Sequence, residues 1–544
     1  MKKERGEIIV EKILQMKDDR MPWEQGWQTI AENLIPWRED EMARRDITSV
    51  MPGSAIYEGS ALNAYNTWVD GMYGHICSRS SKWWDMVGAN DTISKDKQAT
   101  LWMDDATLAG FRRFNNSNFY ATISQFIGDC GGFGISHMFV KDQPGRKTVS
   151  YIPLSPIRVY VETDEDNQYI LHGIEIELSN HAALMKFGKD NMPETYLKEW
   201  EENPFTRHLY YHVVGHKDKF EEIFEPETKL PYFSFYIAED FPKVIITEGG
   251  YDYYPIITWP YMEYSGSPYS FGPAHNAIYD ILGIHSMGKT LLQTVQLAAD
   301  PPIAIPSEMK KKMRYRPHGV SLYEDPGRRP FPILAQSNYP VGKDFKDDKK
   351  MTIDKHFMVD FFEMLQNITA RMTAYEVSER LAEKVAIIGP RVGQFTQMGL
   401  KRIIEATLHL EIQHKRLASP PDVLKRGPDL VDVDFLGSLA QAQKKLALGQ
   451  GLQRAVQEIL ALVQFQPQVM DNVDWDEYTR TTFSINGAPS RIMKSAKTVD
   501  AERAEREKKA QAAQQAEQME KLGNANKGLA NPVAEGNILE MVGQ

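Results

Sequence analysis

The stretch from 275 to 299, HNAIYDILGIHSMGKTLLQTVQLAA, admits two readings that lead to different folds. Within it, Gly283 to Thr290 satisfy G-x-x-x-x-G-K-[ST], the phosphate-binding loop of nucleotide hydrolases. That motif needs a buried strand, then a glycine-rich turn whose backbone N–H groups cradle phosphates, then a helix starting at the lysine. Here Ile278, Ile281, Leu282, His285, Leu292 and Val295 keep a helical spacing through the glycines, and HNAIYDIL ahead of them reads as helix. The best downstream candidate for a metal-holding strand, DLVDVDF at 429–435, is interrupted by polar residues. The pattern predicts a helical rod from Ala274 to Ala299, about 38 Å long at 1.5 Å per residue. The alternative is a P-loop nucleotide-binding hydrolase using Gly283 to Thr290.

Asp300-Pro301-Pro302 stops this rod. A second helix is expected from about Thr352, where Phe357, Phe361, Leu365, Ile368 and Met372 recur at helical steps. Two long helices therefore flank an excursion, and residues 308–350 hold 11 Lys plus Arg against 6 Asp plus Glu, a local +5 in an acidic chain. Lys310, Lys311, Lys312, Arg314, Arg316, Arg328 and Arg329 make up most of it, a charge suited to phosphates or to an acidic protein surface, or simply a solvated loop.

Upstream, the chain is first helical and then sheet-forming. Ile9, Ile13 and Met16, followed by Trp27, Ile30 and Leu34, suggest two amphipathic helices parted near Met21 and Pro22. Further helices are expected over Ser54 to Ser78, Asp96 to Arg113 and Asn118 to Gly128, the last leaving helix in the glycine-rich GDCGGFG of residues 128–134. From Ile135 the period becomes two, in ISHMFVK, TVSYIPL, IRVYVET, YILHGIEIEL, HLYYHVV, FSFYIA and KVIITEG, which predicts an antiparallel sheet region. Residues 190–250 there carry 13 acidic and 6 basic residues, read as a solvated acidic surface. Pro255 to Pro273 reads as a connector. Downstream, helix is expected over Leu400 to Leu417, from Asp434 through Val463, over Val473 to Phe483 and over Thr498 to Leu522, with Gly523 to Gln544 as a tail.

The chain has 544 residues, enough for several folding units, and 63 Lys plus Arg against 74 Asp plus Glu, a net charge of -11. Such a balance argues against wholesale phosphate neutralisation. No apolar run reaches the ~18 residues that span a bilayer, and the charged start MKKERGEIIVEKILQ is not expected to act as a signal peptide. Two cysteines, Cys77 and Cys130, provide neither a disulfide framework nor a thiolate metal cage, and they fit a reducing compartment. His208, His212 and His216 would align on a helix, but HLYYHVV reads as strand, where four residues span about 13 Å, too far for one metal. No catalytic residue, metal site or cofactor is assigned.

The segment MTAYEVSER from Met372 to Arg380, then Gly389-Pro390, Glu405 and Pro420-Pro421, resembles the portal (head-to-tail connector) proteins of short-tailed bacteriophages. A second block agrees: Tyr254-Pro255, Trp259, Tyr264, Ser270-Phe271-Gly272-Pro273, Asp280, Leu282 and Asp300-Pro301-Pro302. So do Tyr57 to Trp84 and Asn118 to Val140, which places the likeness over most of residues 5–500 in order. Tyr375 stands where the family commonly has Thr, and Ser270-Phe271 replaces its usual Tyr-Gly.

The resemblance implies a mostly helical α+β portal fold with wing, stem, clip and crown, assembled as a dodecameric ring and without enzymatic activity. It implies a wing over 1–273, stem helices over 274–300 and 352–378, a clip over 301–351, a tunnel loop and wing helix over 379–435, a crown over 436–497 and a C-terminal helix and tail over 498–544. It also implies a channel for double-stranded DNA, with Arg380, Lys384 and Arg391 as channel-facing candidates. The basic clip would dock the terminase large subunit and then the tail adaptor and nozzle proteins. Major capsid, scaffolding and internal core or ejection proteins are further implied partners, at one vertex of the virion after assembly in the host cytoplasm.

Overall fold

The computed structural model describes residues 4–43, 53, 55–90, 93, 96–143, 148–299, 303–304, 331–332, 339–366, 388–426, 430–436, 456–459, 468, 473–485, 494 and 496–529. The chain divides into a larger unit, 1–86, 105–419 and 433–458, and a smaller one, 87–104, 420–432 and 459–544. The expected helix from Asp434 through Val463 lies largely outside the described residues.

The chain begins with one helix, α1 (Arg5–Asn33), where two were expected. Pro22 cannot donate to the Asp18 carbonyl, yet both residues are exposed, so water can take the freed acceptor and the helix continues. Its apolar side, with Ile9, Ile13, Met16, Trp27 and Ile30 fully or almost fully buried, is continuous across the proline. Buried Arg20 fixes the middle of the helix by donating to the carbonyls of Pro156 (3.0 Å) and Val159 (2.9 Å) and pairing with Glu24 (2.8 Å).

Helices α2 (Ser60–Ile76), α3 (Lys97–Asn115) and α4 (Phe119–Phe133) follow, with the strand β1 (Trp84–Gly88) between α2 and α3. The helix expected to leave at Gly128 runs on through GDCGG and stops only at Gly134, whose φ of +77° is the left-handed C-cap that glycine favours. The internal glycines serve close packing instead. A Cβ on Gly131 would stand 2.3 Å from the Trp68 ring, and one on Gly132 would stand 2.3 Å from Ile35. Beside them Arg38 Nη2 donates to both carboxylate oxygens of buried Asp129, at 2.8 and 2.7 Å.

The sheet region holds two antiparallel sheets. In the first, β2 (Ile135–Gln143) lies between β3 (Thr148–Leu154) and a strand formed by Ile256–Pro260. The second runs β4 (Val159–Thr163), β5 (Tyr169–Ser179), β6 (Arg207–His216), β7 (Tyr232–Ala238) and β8 (Ile245–Tyr251). All seven expected strands are present. The connector contributes an eighth, β9 (Ile256–Pro260), because Pro255 and Pro260 only bound the apolar IITW, which is wholly buried. Short helices α5 (Asn180–Phe187), α6 (Glu194–Glu202) and α7 (Lys217–Phe224) cap the larger sheet. One core cluster joins Ile9, Ile13 and Met16 of α1 to Tyr160, Leu171, Tyr211, Phe233 and Phe235 of that sheet.

The three histidines of β6 occupy one face of an extended strand, each with its own partner. His208 stacks on Tyr196 at 3.8 Å and meets Glu199 at 2.7 Å, His212 stacks on Tyr236 at 4.1 Å, and His216 packs against Tyr254 at 5.0 Å. Among the described residues no cluster of His, Cys, Asp or Glu could hold a metal, and no helix is long and apolar enough to cross a membrane. Cys130 is buried, and burial followed by the neighbouring Asp129 holds its thiol well above the ordinary range, which leaves no reactive thiolate.

In the smaller unit, α12 (Trp475–Ile485) and α13 (Ala496–Leu529) are joined by the exposed pair of Arg503 with Asp476 (2.6 Å), and Lys494, just ahead of α13, pairs with Glu502 (2.7 Å). Helix α13 passes the expected end at Leu522 and carries Gly523 within it, extending to Leu529. The helices between residues 273 and 413 form the site described next.

Candidate functional site

Helix α8 (Pro273–Ala299) is unbroken, with Pro273 at its start where a missing N–H costs nothing. Ala274, Ala277, Ile281 and Ile284 anchor its first half in the core, and His285 Nε2 lies 2.9 Å from the Asn33 carbonyl oxygen at the end of α1. Beyond His285 the burial declines, and Leu292, Val295 and Leu297 are exposed.

The motif residues sit inside this helix. Their backbone N–H groups are committed to the helical ladder and cannot cradle a phosphate. Thr290 Oγ1 donates to the Ser286 carbonyl at 3.0 Å, as helical hydroxyls do, and Lys289 Nζ lies 5.5 Å from the centre of the Tyr57 ring. A Cβ on Gly283 would meet nothing within 4 Å, so no loop geometry requires that glycine. The nucleotide-hydrolase alternative is thereby overturned. The second half of such a site, DLVDVDF, instead supplies β12 (Val431–Phe435), which pairs with β1.

The partner helix, α9 (Tyr339–His356), starts earlier than the expected Thr352. Pro340 fits the first turn of a helix, and Gly342 marks a close approach to α8: a Cβ there would stand 2.8 Å from Leu291. Lys349 donates to Asp280 at 2.6 Å, and His356 lies 3.7 Å from the same carboxylate. The Lys349 hydrogen bond to Asp280 raises the ammonium pKa above its ordinary value. Residue 342 thus meets 291 while 349 and 356 meet 280, so α8 and α9 form an antiparallel hairpin.

At its open end β10 (Ile303–Ala304) pairs antiparallel with β11 (Phe331–Pro332), Ile303 opposite Pro332 and Ala304 opposite Phe331. This ladder closes the base of the excursion. The basic residues Lys310, Lys311, Lys312, Arg314, Arg316, Arg328 and Arg329 lie outside the described residues.

At the other end of the hairpin, Met358 turns the chain with a φ of +55° into α10 (Val359–Gln366), whose Phe362 packs on Gly71 of α2. The segment carrying Arg380 and Lys384 lies outside the described residues. Arg391 is described: it is half-buried, with its guanidinium carbon 5.5 Å from the centre of the Tyr261 ring. Just beyond it a π-helical stretch, Phe395–Lys401, stacks Phe395 on Trp259 of β9 at 4.3 Å and leads into α11 (Arg402–Gln413), shorter than the expected Leu400 to Leu417. Of the three candidate channel residues, the structure therefore places only Arg391, against an aromatic ring.

The ties that fix this region escaped the sequence reading, because Asp280 with Lys349, Arg113 with Glu411 (2.7 Å) and His285 with Asn33 join residues far apart in the chain. No local pattern marks such pairs.

The model of the family described as "Bacteriophage head to tail connecting protein" matches residues 9–493. The chain belongs to that family. As a head-to-tail connecting protein it has relatives of nearly equal length. It is 24% identical over 513 residues to a "Portal protein" of Salmonella phage epsilon15, covering 91% of this chain and 90% of that one. It is 22% identical over 485 residues to a "Probable portal protein" of Bordetella phage BPP-1, covering 87% and 86%. A chain from the "Neck of empty GTA particle computed with C6 symmetry" aligns at 10% identity and a TM-score of 0.35, covering 72% of this family member and 86% of that chain.

Proposed function

We propose that this chain is the portal subunit of a tailed bacteriophage: a ring of copies at one capsid vertex, dodecameric in its closed form, through which double-stranded DNA enters and leaves. The observation that carries this reading is the family match across residues 9–493, which includes every element of the hairpin. Two relatives named as portal proteins over most of their length support it. In this reading α8 is the first arm of the stem; the second, expected as one helix over 352–378, is instead α9 and α10 parted at Met358, with α9 reaching back into the 301–351 expected for the clip, and the ring is a conduit with no catalytic step of its own.

The charge fits that task. DNA must slide, and a wall that neutralised many phosphates would hold it by counterion release. A chain with a net charge of -11 offers little such grip, while a few cations such as Arg380, Lys384 and Arg391 guide. The basic residues Lys310, Lys311, Lys312, Arg314, Arg316, Arg328 and Arg329 then face partners, the terminase large subunit during packaging and the tail adaptor and nozzle proteins afterwards. Scaffolding, major capsid and internal core or ejection proteins complete its contacts in the host cytoplasm and the virion.

The test replaces Lys310, Lys311, Lys312, Arg314 and Arg316 with Ser and measures terminase and adaptor binding to the purified protein. The reading predicts that docking is lost while the oligomeric mass is unchanged. Undiminished docking would remove the clip from the account.

A further inference from the structure

His137 on β2, Thr258 on β9 and His172 on β5 converge in the core, each 5% exposed or less. Thr258 Oγ1 lies 2.9 Å from His137 Nδ1 and 2.7 Å from His172 Nε2, and His172 Nδ1 lies 2.6 Å from the Tyr254 hydroxyl. The Tyr254 hydroxyl in turn reaches the Val214 carbonyl on β6 at 3.5 Å. The chain of contacts therefore crosses from the three-stranded sheet, which holds His137 and Thr258, to the five-stranded sheet, which holds His172 and Val214.

A threonine hydroxyl has one hydrogen, so it donates to one imidazole and accepts from the other. If His137 Nδ1–H donates to Thr258, Thr258 donates to His172 Nε2, His172 Nδ1–H donates to Tyr254 and Tyr254 donates to the Val214 carbonyl, every hydrogen has an acceptor. We assign the tautomers on that ground. One atom is left bare, His137 Nε2, buried without a hydrogen-bond partner. An added proton has two places to go. On His137 Nε2 it creates a buried N–H without an acceptor, and on His172 Nε2 it reverses the hydrogen bond with Thr258 and leaves the threonine hydrogen without an acceptor. Either leaves a buried hydrogen without an acceptor, a cost that weakens the tie between the sheets.

We propose that the chain His137, Thr258, His172, Tyr254 is a proton-sensitive latch between the two sheets, closed while both imidazoles are neutral and opened by acid. The groups around it do not compensate a positive charge. Arg20 of α1 acts on His137, His216 of β6 acts on His172, and Tyr169 of β5 and Tyr232 of β7 face the rings of His172 and Tyr254. Carboxylates enter at the outer end, where Asp218 and Asp164 act on His216. Burial first, then His172 and Arg20, hold His137 well below the usual histidine range; burial first, then His216, lowers His172 to about 3. Both folded-state values lie below the unfolded one, so the unfolded chain takes up protons that the folded chain refuses. Stability present above pH ~6.5 is lost as pH falls below it.

Hydrogen–deuterium exchange at the imidazole C2 position, followed by mass spectrometry on the full chain, reads each titration directly. Midpoints for His137 and His172 well below that of the urea-unfolded chain are expected, and midpoints equal to it would overturn the latch. Glutamine donates and accepts without titrating. Between pH ~6 and ~4 the unfolding constant of the wild type should therefore rise about a hundredfold more per pH unit than that of the His137→Gln, His172→Gln double variant, tenfold for each histidine. Equal slopes would overturn the proposal. Backbone exchange in acid should rise first in peptides covering 135–143 and 169–179, and a uniform rise along the chain would contradict a latch placed between these sheets.

Discussion

Two helical glycines should respond to alanine in opposite directions. At Gly283 a Cβ meets nothing within 4 Å, so Gly283→Ala adds helix propensity and should raise stability by roughly 0.5–1 kcal/mol, with no change in any function of the protein. At Gly131 the same atom would stand 2.3 Å from the Trp68 ring, so Gly131→Ala should cost about 1–3 kcal/mol through a forced shift of a buried indole. Urea unfolding measures both. A loss at Gly283 would mean that the glycine is needed for a turn, as in a phosphate loop. Lys289→Ala gives a companion result: Mg-ATP affinity, followed by calorimetry, should be absent before and after the change. The unbroken period of 275–299 made the helix legible in the sequence. The reason for the glycines of 128–132 was not, since a glycine read alone signals a turn or a close contact equally, and only Trp68 and Ile35 across the gap decide which.

At the scale of elements, α1 offers the sharpest test. Pro22 in the interior of a helix forgoes one hydrogen bond, so Pro22→Ala should raise the unfolding midpoint and stabilise by up to about 3 kcal/mol if the helix is continuous. No gain would indicate two helices hinged there, as proline placement alone suggested. The hairpin has a matching prediction: Gly342→Val puts a branched side chain where even a Cβ would be 2.8 Å from Leu291, and it should loosen α8 from α9. Increased backbone exchange in residues 286–297 with unchanged exchange in β5 and β6 would report it, and unaltered exchange in both would refute the close approach. The strands were legible from alternation because each turns one face to a core. The start of α9 was obscured by Pro340 and Gly342, residues that normally interrupt helices, yet here one lies in the first turn and the other at a contact. Strand β9 was hidden by its flanking prolines.

For the whole molecule, the family likeness was readable in the order of loose motifs along most of the chain, and the match across residues 9–493 agrees with that order. What the single chain shows is an antiparallel helical hairpin with an uncharged half-helix: after Lys289, α8 carries no charged residue, and Leu292, Val295 and Leu297 are exposed. The central claim is a closed ring of copies, and the direct measurement is the mass of the purified protein in solution together with negative-stain images of the same sample, prepared with and without scaffolding protein. The account predicts a ring with a central hole and a mass near twelve times the 62.1 kDa subunit. A particle that remains monomeric with scaffolding protein present, or that grows as an open filament, would contradict it.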